Sequence, residues 1–191
     1  MKHLINSLLV ITLTISCSDN SHRLNDDNQS TEKVIDYQSI GNLISIEAQS
    51  ILLSNVSKNM KEGGPVHTID FCNLNASLLM DSVSKSNSVT VSRISEKNRN
   101  ENNVASEFEI GILESLKTSN NIDTVLFTDN QVYYYKTIRL GMSACLKCHG
   151  IPETDIDTST LGKIKEKYPN DRATNYSMGD FRGAWKIVFQ K

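Results

Sequence analysis

The chain has 191 residues, of which 38% are hydrophobic, and a formal net charge of -2. This length and apolar content suffice for one buried core, so we predict a single folded domain. A chain this close to neutral offers no basic surface to nucleic acid, which excludes that class of partner.

The first residues have the layout of an export signal. Residues 1–3 begin with a short positive stretch, and residues 4–15 form a mostly apolar run that is too short to span a bilayer comfortably. The run leads to Cys17 through a sequence similar to a bacterial lipoprotein cleavage box. We therefore predict a lipoprotein-type signal peptide over residues 1–16, with Cys17 lipidated. The protein would then lie on the periplasmic side of the bacterial cell envelope and touch the membrane through lipid alone. An ordinary signal peptide with a stray cysteine is the alternative.

A polar tether and a long helix follow the signal. Residues 17–30 are rich in Ser, Asn and Asp, which predicts a flexible tether, and we expect a single domain over residues 31–191. Apolar residues at near-helical spacing predict a long helix over residues 32–61, with a break allowed near Gly41. A Gly-Gly-Pro sequence at residues 63–65 ends this helix, because glycine favours a helix C-terminus and proline cannot continue a helix.

A second helix is predicted directly after this break, and it carries a cysteine. Pro65 suits the first turn of such a helix. Ile69, Cys72 and Ala76 fall on one stripe, so the Cys72 side chain is expected to point inward. A free cysteine there either fills the core or serves as a metal ligand, and both interpretations stay open at this point. His67 faces away from the stripe and is expected at the surface.

The rest of the chain alternates strands with short helices. Helices followed by strands with helical inserts predict an α+β domain around an antiparallel sheet. Alternation, helical spacing and turn residues predict a strand at 88–94, a helix at 105–116, a hairpin of strands at 123–128 and 132–140, a short helix at 161–167 and a final strand at 183–189.

Residues 145–149 read Cys-Leu-Lys-Cys-His, the minimal attachment sequence for a c-type haem. In that chemistry both sulfurs bond covalently to the porphyrin vinyl carbons, and the histidine ligates the iron. Residues three and four apart on a helical turn share a face, so Cys145, Cys148 and His149 can address one haem together. A redox dithiol and half of a zinc site use the same cysteine spacing. The predicted export favours haem, because c-type haem is attached outside the bacterial cytoplasm.

Further segments from Lys61 to the C-terminus carry a family resemblance when they are taken with this motif. They are residues 61–65 with Ile69, Cys72 and Asn73; 91–95 with Lys97, Arg99 and Asn100; Tyr134, Tyr135 and Ile138; 145–150; and Tyr168, Pro169, Asp171, Ala173, Tyr176, Gly179, Asp180 and 182–184. Together they resemble a family of bacterial periplasmic c-type haem-binding domains, long catalogued as a domain of unknown function. Such domains occur alone and as the sensing region of signalling proteins. Local departures are Ser92 and Asn175 in place of glycine, and Glu101 and Thr137 in place of proline.

The resemblance implies a fold and a ligand set. The implied fold is a PAS-like antiparallel sheet preceded by N-terminal helices, with one covalent haem c per chain held by His149 and Cys72. A thiolate ligand favours ferric iron and sets a low reduction potential. Arg93 and Arg182 are candidate partners of the haem propionates, or else form ordinary ion pairs. An inward-facing tyrosine of residues 133–135 could contact the porphyrin, with sheet packing as the alternative.

The expected function is single-electron transfer or redox or gas sensing, with an unidentified redox or signalling partner protein. We expect a haem carrier or sensor rather than an enzyme. The alternative class is an enzyme, with peroxidase-like activity if the sixth iron position is open. If no haem is attached, Cys145 and Cys148 could instead serve a thiol-disulfide oxidoreductase.

Overall fold

A computed structural model describes residues 35–119 and 121–191 of the chain. The predicted signal peptide, the lipidated Cys17 and the tether over residues 17–30 all lie outside the described residues, so these three stay predictions. No helix within the described part is both long and apolar enough to cross a membrane.

The first described element is a long helix, α1 (Tyr37–Asn87), that folds back on itself at two glycines. Gly63 (φ -152°) and Gly64 (φ 70°) leave helical geometry, and they divide α1 into a first arm, residues 37–62, and a second arm, residues 65–87. The arms lie side by side, since the side-chain amide of Asn87 donates a 3.0 Å hydrogen bond to the Glu47 carboxylate. The break predicted at the Gly-Gly-Pro sequence is therefore confirmed.

Two details of the first arm differ from the sequence prediction. The helix starts at Tyr37 rather than near residue 32, because Asp36 acts as its N-cap and accepts a 3.0 Å bond from the Ser39 amide. The break allowed near Gly41 is wrong, since the helix runs through that residue. Gly41 instead lets the Tyr134 ring approach the backbone, where an added Cβ would lie 2.4 Å from the ring.

The strands form one antiparallel sheet in the order β1-β4-β3-β2. Helices on an antiparallel sheet confirm the predicted α+β class. The strands are β1 (Thr90–Ile94), β2 (Asp123–Phe127), β3 (Gln131–Arg139) and β4 (Phe181–Gln190). The further helices are α2 (Glu107–Thr118), the short α3 (Leu146–His149) and α4 (Thr158–Lys167), with 3-10 turns at Glu101–Asn103 and Ser143–Cys145.

The two faces of the sheet have separate apolar cores. The arms of α1 cover one face and bury Tyr134 and Trp185 of the sheet. Helix α2 covers the other face, where Leu113 and Leu116 pack against Tyr135. Tyrosines 134 and 135 therefore point to opposite faces, as neighbouring residues of a strand must. The candidate site lies on the α1 face of the sheet, next to Trp185.

Candidate haem site

A cavity of about 840 Å³ opens between the two arms of α1, the strand ends and residues 138–149. Its volume falls in the range of roughly 300–1,000 Å³ that is usual for cofactor pockets. Its walls are mainly apolar, with Leu52, Leu53, Val56, Ile69, Ala76, Ile94, Ile138, Leu140 and Trp185 among the lining residues.

All six residues predicted to bind the cofactor line this cavity: Cys72, Arg93, Cys145, Cys148, His149 and Arg182. They come from α1, β1, α3 with its preceding turn, and β4, so the fold brings together residues that are far apart in the chain. His67 is exposed and does not line the cavity, as expected. None of the tyrosines at 133–135 lines it either, so the sheet-packing interpretation holds for them.

The attachment motif lies on a tight turn that leads into α3. Cys145 ends the 3-10 turn and packs beside Leu140 and Tyr176, whereas Cys148 lies on α3 beside a cluster that includes Ile69. Gly150 directly after the motif is required by space, because an added Cβ would lie 2.5 Å from the Asp155 side chain. Burial raises the pKa of the Cys148 thiol to about 11, so this thiol is protonated at neutral pH.

His149 has one ring nitrogen fixed and the other available. Its Nδ1 lies 2.8 Å from the carbonyl oxygen of Ala173. A carbonyl can only accept, so Nδ1 carries the proton and Nε2 keeps a lone pair for a metal. Burial, followed by the charges of Arg99 and Arg182, holds the His149 pKa well below its usual value, against the opposing effect of the Ala173 bond. The imidazole is therefore neutral at pH 7, which is the form that ligates iron.

A buried ion pair holds the Ala173 carbonyl in place. Arg99 Nε donates to Asp171 Oδ1 at 3.0 Å, and the two side chains are only 10% and 8% exposed. Arg99 Nη2 also donates to the Cys148 carbonyl at 2.7 Å and reaches the Ala173 carbonyl at 3.4 Å. Sequence reasoning gave Arg99 and Asp171 no role beyond their place in the family segments. Their place in those segments is the one sequence signal that could have identified them as site residues.

Cys72 enters the cavity from the second arm of α1, away from the attachment motif in the chain. Its side chain is half-buried, and within the described residues its Sγ takes part in no hydrogen bond. Burial raises the pKa of the Cys72 thiol, and the positive charges of Arg93 and Arg99 partly oppose that rise. The thiol is thus available to a metal that can displace its proton.

The cavity carries more positive than negative charge. Arg93 lies over the Trp185 ring, 5.9 Å from its centroid, and meets neither a carboxylate nor a hydrogen-bond acceptor of the described residues. Arg182 donates to Ser95 Oγ at 2.8 Å and to the Lys97 carbonyl at 2.9 Å, again without a carboxylate in the described part. Two guanidinium groups without carboxylate partners suit an anionic guest.

The residues present fit a haem. The two thiols at the attachment spacing match the vinyl groups, and the neutral imidazole and the further thiol match the iron. The apolar walls suit the porphyrin, and the two guanidinium groups suit its propionates. A zinc site fits less well, because residues 35–119 and 121–191 hold no group of three or more His, Cys, Asp or Glu placed to bind a metal ion.

Comparison with known proteins bears on the family and the fold. No curated protein matches the sequence. The crystal structure of the cyanobacterial heme-protein Tll0287 matches with a TM-score of 0.63 and 19% identity, over 80% of this chain and 95% of that chain. At this identity the match establishes a shared fold. The sequence model of the Tll0287-like family, described as Tll0287, matches residues 19–189. The chain therefore belongs to the Tll0287-like family.

Proposed function

We propose that the chain is a c-type haem protein with a PAS-like domain at the periplasmic side of the bacterial cell envelope, anchored through Cys17. Cys145 and Cys148 hold one haem c covalently, and His149 and Cys72 ligate its iron. The observation that carries this proposal is the cavity, which gathers these four side chains and presents the His149 imidazole as a neutral ligand. The solved relative Tll0287 is itself named a heme-protein.

The side chains have separate tasks in this proposal. When bound, haem supplies one-electron chemistry. Cys145 and Cys148 tether it, and the Nδ1–H bond of His149 to a backbone carbonyl aims Nε2 at the metal. The apolar part of the walls offers packing surface for the porphyrin. Arg93 and Arg182 provide positive charge for the propionates.

Sensing through a change of ligand suits this site better than electron transfer alone. The Cys72 side chain has no hydrogen-bond partner in the described part of the chain, so its departure from a metal would break no hydrogen bond to the protein. His149, by contrast, is held through its Nδ1, which donates to the Ala173 carbonyl. Cys72 is therefore the displaceable ligand, and the response passes to an unidentified redox or signalling partner protein.

The enzyme alternatives find less support. A thiol-disulfide oxidoreductase needs a thiol with a lowered pKa, whereas burial raises the Cys148 pKa to about 11. A peroxidase-like site needs an open iron position, and Cys72 lines the cavity from which that position would be filled.

Covalent attachment is tested by expression with a c-type haem maturation system, followed by intact mass and a pyridine haemochrome spectrum. We expect the mass of one added haem and a spectrum of the c type. The double variant Cys145→Ala/Cys148→Ala is the matched control and should carry no covalent haem. A haem-free mass of the unchanged chain from a competent host would overturn the central proposal.

Ligand exchange is tested by reducing the holoprotein under carbon monoxide and following the Soret band. We expect carbon monoxide to shift the Soret band of the reduced unchanged chain, and to do so faster in Cys72→Ala, because the competing thiolate is gone. A reduced spectrum that is the same with and without carbon monoxide points to simple electron transfer. If Cys72→Ala has the same absorption spectrum as the unchanged chain, the thiolate ligand is wrong.

The anchor is tested separately by growing an expressing strain with radiolabelled palmitate. We expect label in the protein and none in the Cys17→Ala variant. Label in both chains, or in neither, would contradict lipidation at this cysteine.

A further inference from the structure

Within residues 35–119 and 121–191, Arg99 is the one side chain that contacts both peptide groups on which the orientation of His149 depends. One is the Cys148 carbonyl, which belongs to the peptide bond leading into His149, and Arg99 Nη2 donates to it at 2.7 Å. The other is the Ala173 carbonyl, which accepts from His149 Nδ1 and lies 3.4 Å from the same Nη2. The Arg99 guanidinium thus contacts both the peptide group that leads into His149 and the carbonyl that accepts the His149 Nδ1–H bond.

Asp171 fixes that guanidinium in return. Its carboxylate accepts from Arg99 Nε at 3.0 Å and from Arg99 Nη2 at 3.2 Å, which is the bidentate geometry that orients an arginine best. Asp171 Oδ1 also accepts from the Ala173 amide at 3.1 Å, so it holds Ala173 from the other side. Because both side chains are nearly buried, the pair cannot exchange its contacts freely for water.

We propose that the Arg99–Asp171 pair positions the imidazole of His149 and tunes the reduction potential of the haem iron that His149 ligates. The inference rests on the proposed function for its redox part. Arg99 draws electron density from the Ala173 carbonyl, which makes this oxygen a weaker acceptor for the Nδ1–H of His149. A weaker bond keeps the imidazole less basic and the ferrous state more accessible. Arg99 is a positioning residue, since it acts on the iron only through His149.

The test replaces the pair without changing the charge of the site. Arg99→Met with Asp171→Asn removes one positive and one negative charge and both donor contacts, while the new side-chain amide at position 171 keeps an oxygen for the Ala173 N–H. Exchanging both partners of a buried pair for neutral residues is often tolerated by the fold. The control is Lys97→Met, which removes another cation of the same loop. Lys97 donates to the Thr174 carbonyl at 2.7 Å and does not line the cavity.

Three measurements read the outcome. Potentiometric titration with dithionite adds one electron to each ferric iron, and the Nδ1 proton stays on His149. We expect the double variant to have a midpoint potential lower by about 59 mV. For one electron this shift is a tenfold change in the ratio of oxidised to reduced iron at a fixed potential. We also expect altered g values in the EPR spectrum of the ferric protein, since these report the plane of the axial imidazole. Lys97→Met should keep the unchanged chain's g values.

The third measurement does not need haem. In the haem-free chain the ¹⁵N shifts of His149 should show protonated Nδ1, and in the double variant the Nδ1–H proton should shift downfield, because its bond to the freed Ala173 carbonyl is stronger. A haem-free protein from the attachment test would therefore overturn the proposed function, and the positioning of His149 could still be tested on that protein. Should the double variant fail to fold, Arg99→Lys keeps the charge and loses the fork that reaches both carbonyls, and its Nδ1–H proton should shift in the same direction. Potential, g values and shifts equal to those of the unchanged chain would overturn the inference.

Discussion

The cavity has two walls, one with His149 and one with Cys72, that are built in different ways. On one wall His149 is bonded to the Ala173 carbonyl, which in turn is held by the buried pair of Arg99 and Asp171. On the other wall Cys72 is placed by its helix alone, and its sulfur has no hydrogen bond within the described residues. His149 is thus positioned by groups that are themselves held in place, whereas Cys72 is positioned by its helix alone.

This difference suggests which wall can respond to a change at the metal. A ligand whose hydrogen-bond partners are themselves fixed is costly to move, because several bonds must change together. A ligand held only by packing can leave at the cost of its own bond. The comparison therefore predicts that substitutions on the His149 wall affect stability more than matching substitutions on the Cys72 wall.

The largest effect is expected for Asp171→Asn alone. This change leaves Arg99 as a buried charge without its partner, which costs about 3–5 kcal/mol of unfolding free energy in comparable pairs. Urea unfolding of the haem-free chain, followed by circular dichroism, measures the loss. The double change Arg99→Met/Asp171→Asn is the control and should recover most of it. A loss below about 1 kcal/mol for Asp171→Asn would show that the two walls are held alike.

An intermediate effect is expected from pH. The folded His149 pKa lies well below its usual value of about 6.5, so below that pH the unfolded chain takes up a proton that the folded chain does not. The free energy of unfolding should therefore fall on acidification, by up to about 1.4 kcal/mol per pH unit for this group. Unfolding of the haem-free chain between pH 7 and pH 5 measures it. His149→Gln should remove this part of the slope, and identical slopes in both chains would contradict the buried neutral imidazole.

The smallest effect is expected for Cys72→Ala in the haem-free chain. The sulfur makes no hydrogen bond in the described part and borders an existing cavity, so its removal leaves no polar partner unsatisfied. We expect a change of less than about 1 kcal/mol in unfolding free energy. Urea unfolding beside the Asp171→Asn variant gives the direct contrast. A loss as large as that of Asp171→Asn would remove the distinction between the walls.

Features encoded by neighbouring residues could be predicted from the sequence. The Gly-Gly-Pro break, the hairpin of β2 and β3 and the helical turn at residues 145–149 each depend on a few adjacent residues. Helical spacing was enough to predict that Cys72 points inward, because periodicity reports which face of a helix is buried. The α+β class followed from the order of these elements.

Features that depend on distant contacts could not be predicted. Arg99 and Asp171 are 72 positions apart, and each alone looks like an ordinary surface charge. The Ala173 acceptor is a backbone oxygen, which any residue could supply. The start of α1 was placed too early because Asp36 caps the helix, and apolar spacing does not show where a cap lies. The close contact of Tyr134 with Gly41 likewise arises only when the sheet meets the helix.

The segment of residues 171–176 also has a consequence for the order of maturation. Its backbone closes over the attachment motif, with the Asn175 amide bonded to the Gly150 carbonyl at 2.9 Å and the Tyr176 amide to the His149 carbonyl at 3.0 Å. Each arm of α1 can form from hydrogen bonds within its own turns, whereas this closure joins two separate segments and first costs loop-closure entropy. Under the proposed haem attachment, we therefore expect the two thiols to stay accessible until the helical arms of α1 are formed. Pulsed hydrogen exchange should protect the amides of α1 before those of Asn175 and Tyr176.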